Sequence, residues 1–174
     1  MCGLGFLSGV TQLHNVVYVA YHDSSTIDMF TADTLSPLGE GIDVEGMRDP
    51  WDIVACRHDR QLYVADRNYC IWRVSADDHS YVKWLTTETT TDIFDVDTLS
   101  LTSQRLLVTP WRPAILRQYS TTDGQLLRHV VLPSYMHGAY HAVETTRQTF
   151  VVSHSGTSLS ERQEAVSELL TCSA

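Results

Sequence analysis

Lysine is nearly absent: among twelve basic residues only Lys83 is a lysine, against 21 acidic ones, and the net charge is −9. Non-specific nucleic-acid binding draws most of its affinity from basic side chains on phosphates, so this balance argues against such a partner. It argues equally against an anionic membrane surface. Cysteine is scarce too. Cys2, Cys56, Cys70 and Cys172 form no C-x-x-C pair and are too few for a disulfide scaffold of this length. Spacing does not settle whether Cys56 and Cys70 bridge, and reduced thiols in a cytoplasmic setting are expected. No apolar run has the length of a membrane-spanning helix. The N-terminal Met1–Leu7 stretch lacks the basic region of a secretory signal, and there is no N-x-S/T sequon. The G-x-S-x-G elbow of serine hydrolases and the H-E-x-x-H helix of zinc proteases are both missing.

What is present is repetition. Tyr18-Val19-Ala20 returns as Tyr63-Val64-Ala65, Leu107-Val108-Thr109 and Val151-Val152-Ser153, at steps of 45, 44 and 44 residues. A period of about 40–50 residues made only of strand-like pieces marks a β-propeller blade. The second repeat is the clearest. Trp51–Cys56, Leu62–Ala65, Ile71–Val74 and Tyr81–Leu85 read as four short strands separated by polar turns at His58-Asp59-Arg60, Asp66-Arg67-Asn68 and Asp77-Asp78-His79. The third repeat keeps this order and closes through the hairpin signal Asp123-Gly124. In the first repeat, Gly39 and Gly41 interrupt the outer strand near Leu38–Val44. The fourth has only two strands, at 139–143 and 150–153, before the pattern changes. After Gly156, Ser160 and Gln163 resemble a capping box, and Ala165, Val166, Leu169 and Leu170 fall on one helical face. These signals predict an all-β partial propeller of four-stranded antiparallel blades over 1–156, with a short C-terminal helix or disordered tail over 157–174.

A blade has two apolar faces and cannot bury them without neighbours. Trp51, Trp72, Trp84 and Trp111 suit the gaps between twisted blades. About three and a half blades leave faces open, so the chain is expected to be a fragment of a larger propeller or to self-associate through those faces.

Pro50-Trp51-Asp52-Ile53, followed by Leu62-Tyr63-Val64-Ala65-Asp66-Arg67-Asn68-Tyr69-Cys70-Ile71-Trp72-Arg73-Val74, resembles an NHL repeat. Positions 16–30, 94–119 and 139–154 carry shorter parts of the same pattern. The chain departs from it at Asp52, where the family usually has glycine, and at Pro110-Trp111-Arg112-Pro113, which replaces an Asp-containing turn. The resemblance implies a six-bladed propeller scaffold for protein partners. Family members often follow a ubiquitin-ligase module, and some bind RNA; this chain carries no ring finger, B-box or coiled coil.

Two sets of residues are singled out. Arg67, Arg112 and Arg117 are expected in or near loops at blade ends, with Trp111 beside Arg112, and Trp and Arg dominate binding hot spots. Asp52, Asp95 and His141 follow aromatic residues in the first strands of three repeats, where a propeller's central channel would gather them. Two carboxylates and an imidazole suit calcium or zinc. The principal reading is a cofactor-free, non-enzymatic scaffold for protein–protein interaction. The alternative is a metal-dependent propeller enzyme resembling lactonases or the amidating lyase.

Overall fold

Strand follows strand from residue 7 onward in a computed structural model that describes residues 5–67, 70–86, 96–110, 114–136, 138–146, 149–154 and 166–171. There is no helix among the described residues. The strands are β1 (Leu7–Leu13), β2 (Val16–Tyr21), β3 (Thr26–Thr31), β4 (Ile42–Asp43), β5 (Pro50–Cys56), β6 (Gln61–Asp66), β7 (Cys70–Ser75), β8 (Tyr81–Thr86), β9 (Val96–Thr102), β10 (Arg105–Pro110), β11 (Ile115–Ser120), β12 (Leu126–Val131), β13 (Ala139–Thr146), β14 (Thr149–His154) and β15 (Val166–Thr171). They form antiparallel sheets ordered β1-β2-β3-β4, β5-β6-β7-β8, β9-β10-β11-β12 and β13-β14-β15. Sequential strands are always neighbours, which is the meander of a propeller blade. The repeated motif falls on β2, β6, β10 and β14, the second strand of each blade. The chain divides into two units, residues 1–93 and 94–174, each holding two blades.

The second strands supply much of the apolar core of each unit. In β6, Leu62 through Asp66 are all buried, as expected of a strand packed on two sides. The outermost strand β12 is largely exposed, and β8 exposes Val82 and Lys83. In the first unit, Tyr18, Ala20 and Ile27 of the first blade meet Ile53, Leu62, Val64, Trp72 and Val74 of the second. Ile42, Val44 and Met47 from the connecting segment join this core. Close approach of the two inner strands requires Gly9, since a Cβ there would lie 2.8 Å from the Ile53 nitrogen and 2.9 Å from Asp52 Cα. In the second unit, Leu107, Leu116 and Val130 pack on Ala142, Phe150 and Val152. Hydroxyls stitch the same pair of blades. Thr98 Oγ1 donates to the Tyr140 carbonyl at 2.8 Å and Ser100 Oγ to that of Ala142 at 2.7 Å.

The outer strand of the first blade is reduced to the two residues of β4 plus a bridge between Phe30 and Pro37. Gly41 sits where a Cβ would come within 2.6 Å of the Ile27 carbonyl oxygen. The Asp123-Gly124 turn joins β11 to β12, with Gly124 at φ 74° and its N–H bonded to the Ser120 carbonyl at 2.9 Å. The expected C-terminal helix is corrected over its last part. Val166–Thr171 is strand β15, paired with β14 from Thr149↔Thr171 to His154↔Val166. The apolar spacing of the tail fits a helix, but the backbone groups along the free edge of β14 are satisfied by a third strand, and that pairing wins. Residues 157–165 lie outside the described residues.

Trp72 is buried between blades, with its ring edge-on to Tyr81 at 5.9 Å. Trp84 meets Tyr63 edge-on at 4.9 Å. Cys56 and Cys70 are free and buried.

Candidate interaction site

The end of the first unit where β2 and β6 finish and β1 and β5 begin carries an ordered group of side chains. Asp66, the last residue of β6, is 1% exposed. Its carboxylate accepts the Asp49 N–H at 2.8 Å, the Arg48 N–H at 3.3 Å and Trp72 Nε1–H at 2.9 Å. It thereby fastens the segment entering β5 to the blade. The Arg67 N–H donates to the Asp49 carbonyl at 2.9 Å, which sets the start of the next turn against the same segment.

On this platform Trp51 stands half-buried between two partners. The Arg67 guanidinium lies over its ring, 4.1 Å from the centroid. The His22 imidazole meets it edge-on, with centroids 4.5 Å apart. His22 follows β2 directly, and its N–H donates to the Phe6 carbonyl at 2.8 Å. Its Nδ1 lies 2.7 Å from Asp49 Oδ1. Asp23 completes the group in a left-handed turn at φ 58°. The result is a row Arg67–Trp51–His22–Asp49 in which an aromatic ring is held by a cation and an imidazole. Stacking of this kind fixes a large amphipathic side chain before any partner arrives.

Of the residues expected to bind partners, Arg67 is therefore at a blade end as expected. Arg117 is not. It lies within β11, opposite Val108 and His129, and is 6% exposed, so it is part of the sheet rather than a loop. Trp111 and Arg112 lie outside the described residues. Of the expected metal set, Asp95 also lies outside them. Asp52 is half-buried at the β5 bulge, where its Oδ1 accepts the N–H of Ile53 at 2.8 Å. His141 belongs to the second unit, exposed on β13, and desolvation by surrounding protein lowers its pKa below the ordinary imidazole value.

Sequence reasoning did not single out His22, Asp23 or Asp49. Their candidate ligand atoms lie within 4.8 Å of one another, so they could hold a divalent ion through one nitrogen and two oxygens. The Asp49-Pro50-Trp51 run before a strand was the only signal within reach. Nothing local marks His22, which arrives from the preceding repeat.

No family model matches the chain, and no curated protein matches it. Solved structures do. The computationally designed Ika4 protein superposes with a TM-score of 0.70 at 10% identity, covering 98% of this chain and 94% of that one. A chain of a nidogen/laminin complex gives 0.73 at 12% identity over 96% of this chain and 61% of that chain. A chain of the Kuenenia stuttgartiensis hydrazine synthase gives 0.68 at 12% identity, over 85% and 43%. At such low identity these likenesses establish the fold alone, and this chain spans only part of the last two. With the four-stranded antiparallel blades, they establish a propeller-like β fold.

Proposed function

We propose that this chain is a cytoplasmic, NHL-like propeller scaffold that binds a protein partner at the blade-end row of His22, Asp49, Trp51 and Arg67. The observation that carries the reading is Trp51, partly exposed and held between the Arg67 guanidinium and the His22 ring. Trp and Arg are the side chains most enriched among interface hot spots, and pre-ordering them lowers the entropy cost of binding. A rigid blade presenting such a row at its loop end is a common binding arrangement. A similar fold in a nidogen/laminin complex supports partners that are proteins. The free thiols of Cys56 and Cys70 support a reducing compartment.

The test is quantitative affinity capture with wild-type, Trp51→Ala and Arg67→Glu chains, followed by titration of a purified captured protein. Truncation of a hot-spot residue is expected to weaken binding by about 30-fold or more, equivalent to about 2 kcal/mol. Equal capture by all three chains, with unchanged circular dichroism, would remove the site. On this reading, calcium or zinc leaves the melting temperature unchanged. A rise of several degrees abolished by Asp52→Ala would instead support the channel metal and the enzyme reading.

A further inference from the structure

Both units dock their blades in the same sense. Each blade has a front face and a back face, and the back of one meets the front of the next. In the first unit the back is the Tyr18, Ala20 and Ile27 face, and the front it meets carries Ile53, Leu62 and Val64. In the second unit the Leu107 and Leu116 face is the back, and Ala142, Phe150 and Val152 make the front. Register fixes the equivalence. Val19 pairs with Val10 as Val64 pairs with Ile53, each directly across the first two strands of its blade.

The front of the first blade is therefore the counterpart of the face that the second blade buries, and along β1 it is open. Val10 is 56% exposed, whereas its counterpart Ile53 is 1% exposed. Leu7 is 61% exposed, and Val17 and Phe30 on the same face are partly exposed. The back of the fourth blade is open in the same way. His141 is exposed and Val143 is 36% exposed there, with Val151 and Ser153 partly exposed opposite them. One chain thus carries both halves of a contact that it makes internally in each unit.

We infer that copies of this chain associate head to tail, the first-blade front of one covering the fourth-blade back of the next. The occupant is a second copy because the open front has the register of a surface built to receive a blade's back face, and this chain supplies such a face unburied. An apolar sheet face of this kind is an association surface. Front and back are different surfaces, so the contact is heterologous. Each copy carries a charge of −9, so the copies repel at long range. Salt that screens this repulsion tightens the pair. These faces are separate from the Trp51 row, so failure of one proposal leaves the other standing.

The test is sedimentation velocity and native mass spectrometry on the full chain at micromolar concentration. Wild type should self-associate, with a dissociation constant that falls as salt is raised. Val10→Asp and Val143→Asp should each raise that constant at least about tenfold. Both positions are exposed, so circular dichroism should match wild type, and Val10→Lys and Val143→Lys repeat the test with opposite charge. An equimolar mixture of Val10→Asp and Val143→Asp should form dimers, because the intact front of one variant meets the intact back of the other. A monomeric wild type, an assembly indifferent to both substitutions, or a mixture that stays monomeric would overturn the head-to-tail pairing.

Discussion

Replacing Asp66 by alanine removes a buried carboxylate on which the Asp49 and Arg48 N–H groups and the Trp72 indole converge. A hydrogen bond to a charged acceptor contributes about 1.5–3 kcal/mol, and a buried donor left unpaired costs its desolvation. The bonds at 2.8 and 2.9 Å take this full value, while the 3.3 Å bond from Arg48 adds less. The donors share one acceptor, so their contributions do not add fully. The expected loss is about 3–5 kcal/mol. For a chain of this size that corresponds to a fall of roughly 6–20 °C in melting temperature, at about 2–4 °C per kcal/mol. The assay is urea and thermal unfolding followed by near-ultraviolet circular dichroism. Trp72→Phe removes one donor alone, and a double-mutant cycle should return a coupling of about 1–3 kcal/mol. Asp66→Asn keeps one acceptor oxygen and should lose less than alanine. A loss below about 1 kcal/mol for Asp66→Ala would refute the view that this carboxylate organises the entry to β5.

Glu144 is the corresponding anchor of the second unit. Its 1%-exposed carboxylate takes Arg128 Nη2 at 2.7 Å and Gln118 Nε2 at 2.8 Å, so Glu144→Ala should cost about 3–5 kcal/mol in chemical denaturation. Desolvation lowers the His141 pKa, so the folded state binds fewer protons than the unfolded one. Stability is then fully present above the unfolded value of about 6.5 and is lost as pH falls through the folded pKa. His141→Gln should flatten that part of the urea-midpoint profile. The Cys70 pKa is pushed up to about 12 by burial, with a further upward push from the Asp66 carboxylate against a smaller downward one from Lys83. Its thiol should therefore resist alkylation in the native protein at mildly alkaline pH and react after denaturation, as peptide mass spectrometry would show.

The blade is written locally. Each second strand is a short β-rich run inside its blade, so it reads as a mostly apolar stretch, and the turns carry Asp, Asn and Gly. Recurrence of that run at a 44–45-residue step made the propeller legible before any contact was known. The tail was misread for a related reason. The spacing of Ala165, Val166, Leu169 and Leu170 satisfies a helix, and only the vacant edge of β14 selects a strand. Arg117 was expected in or near a loop at a blade end, whereas its register within β11 buries it.

Sequence by itself determined the repeat and the apolar second strands, because these depend on residues a few positions apart. Only the tertiary structure decided which polar side chains meet. His22, Asp49 and Trp51 are drawn together by the docking of two successive blades, and Asp66 closes on Asp49 across the same connection. Likewise, Val10 and Ile53 look alike as residues, and only the packing leaves one in water and the other in the core. Local pattern governs what a strand is; the neighbour it finds governs what it exposes.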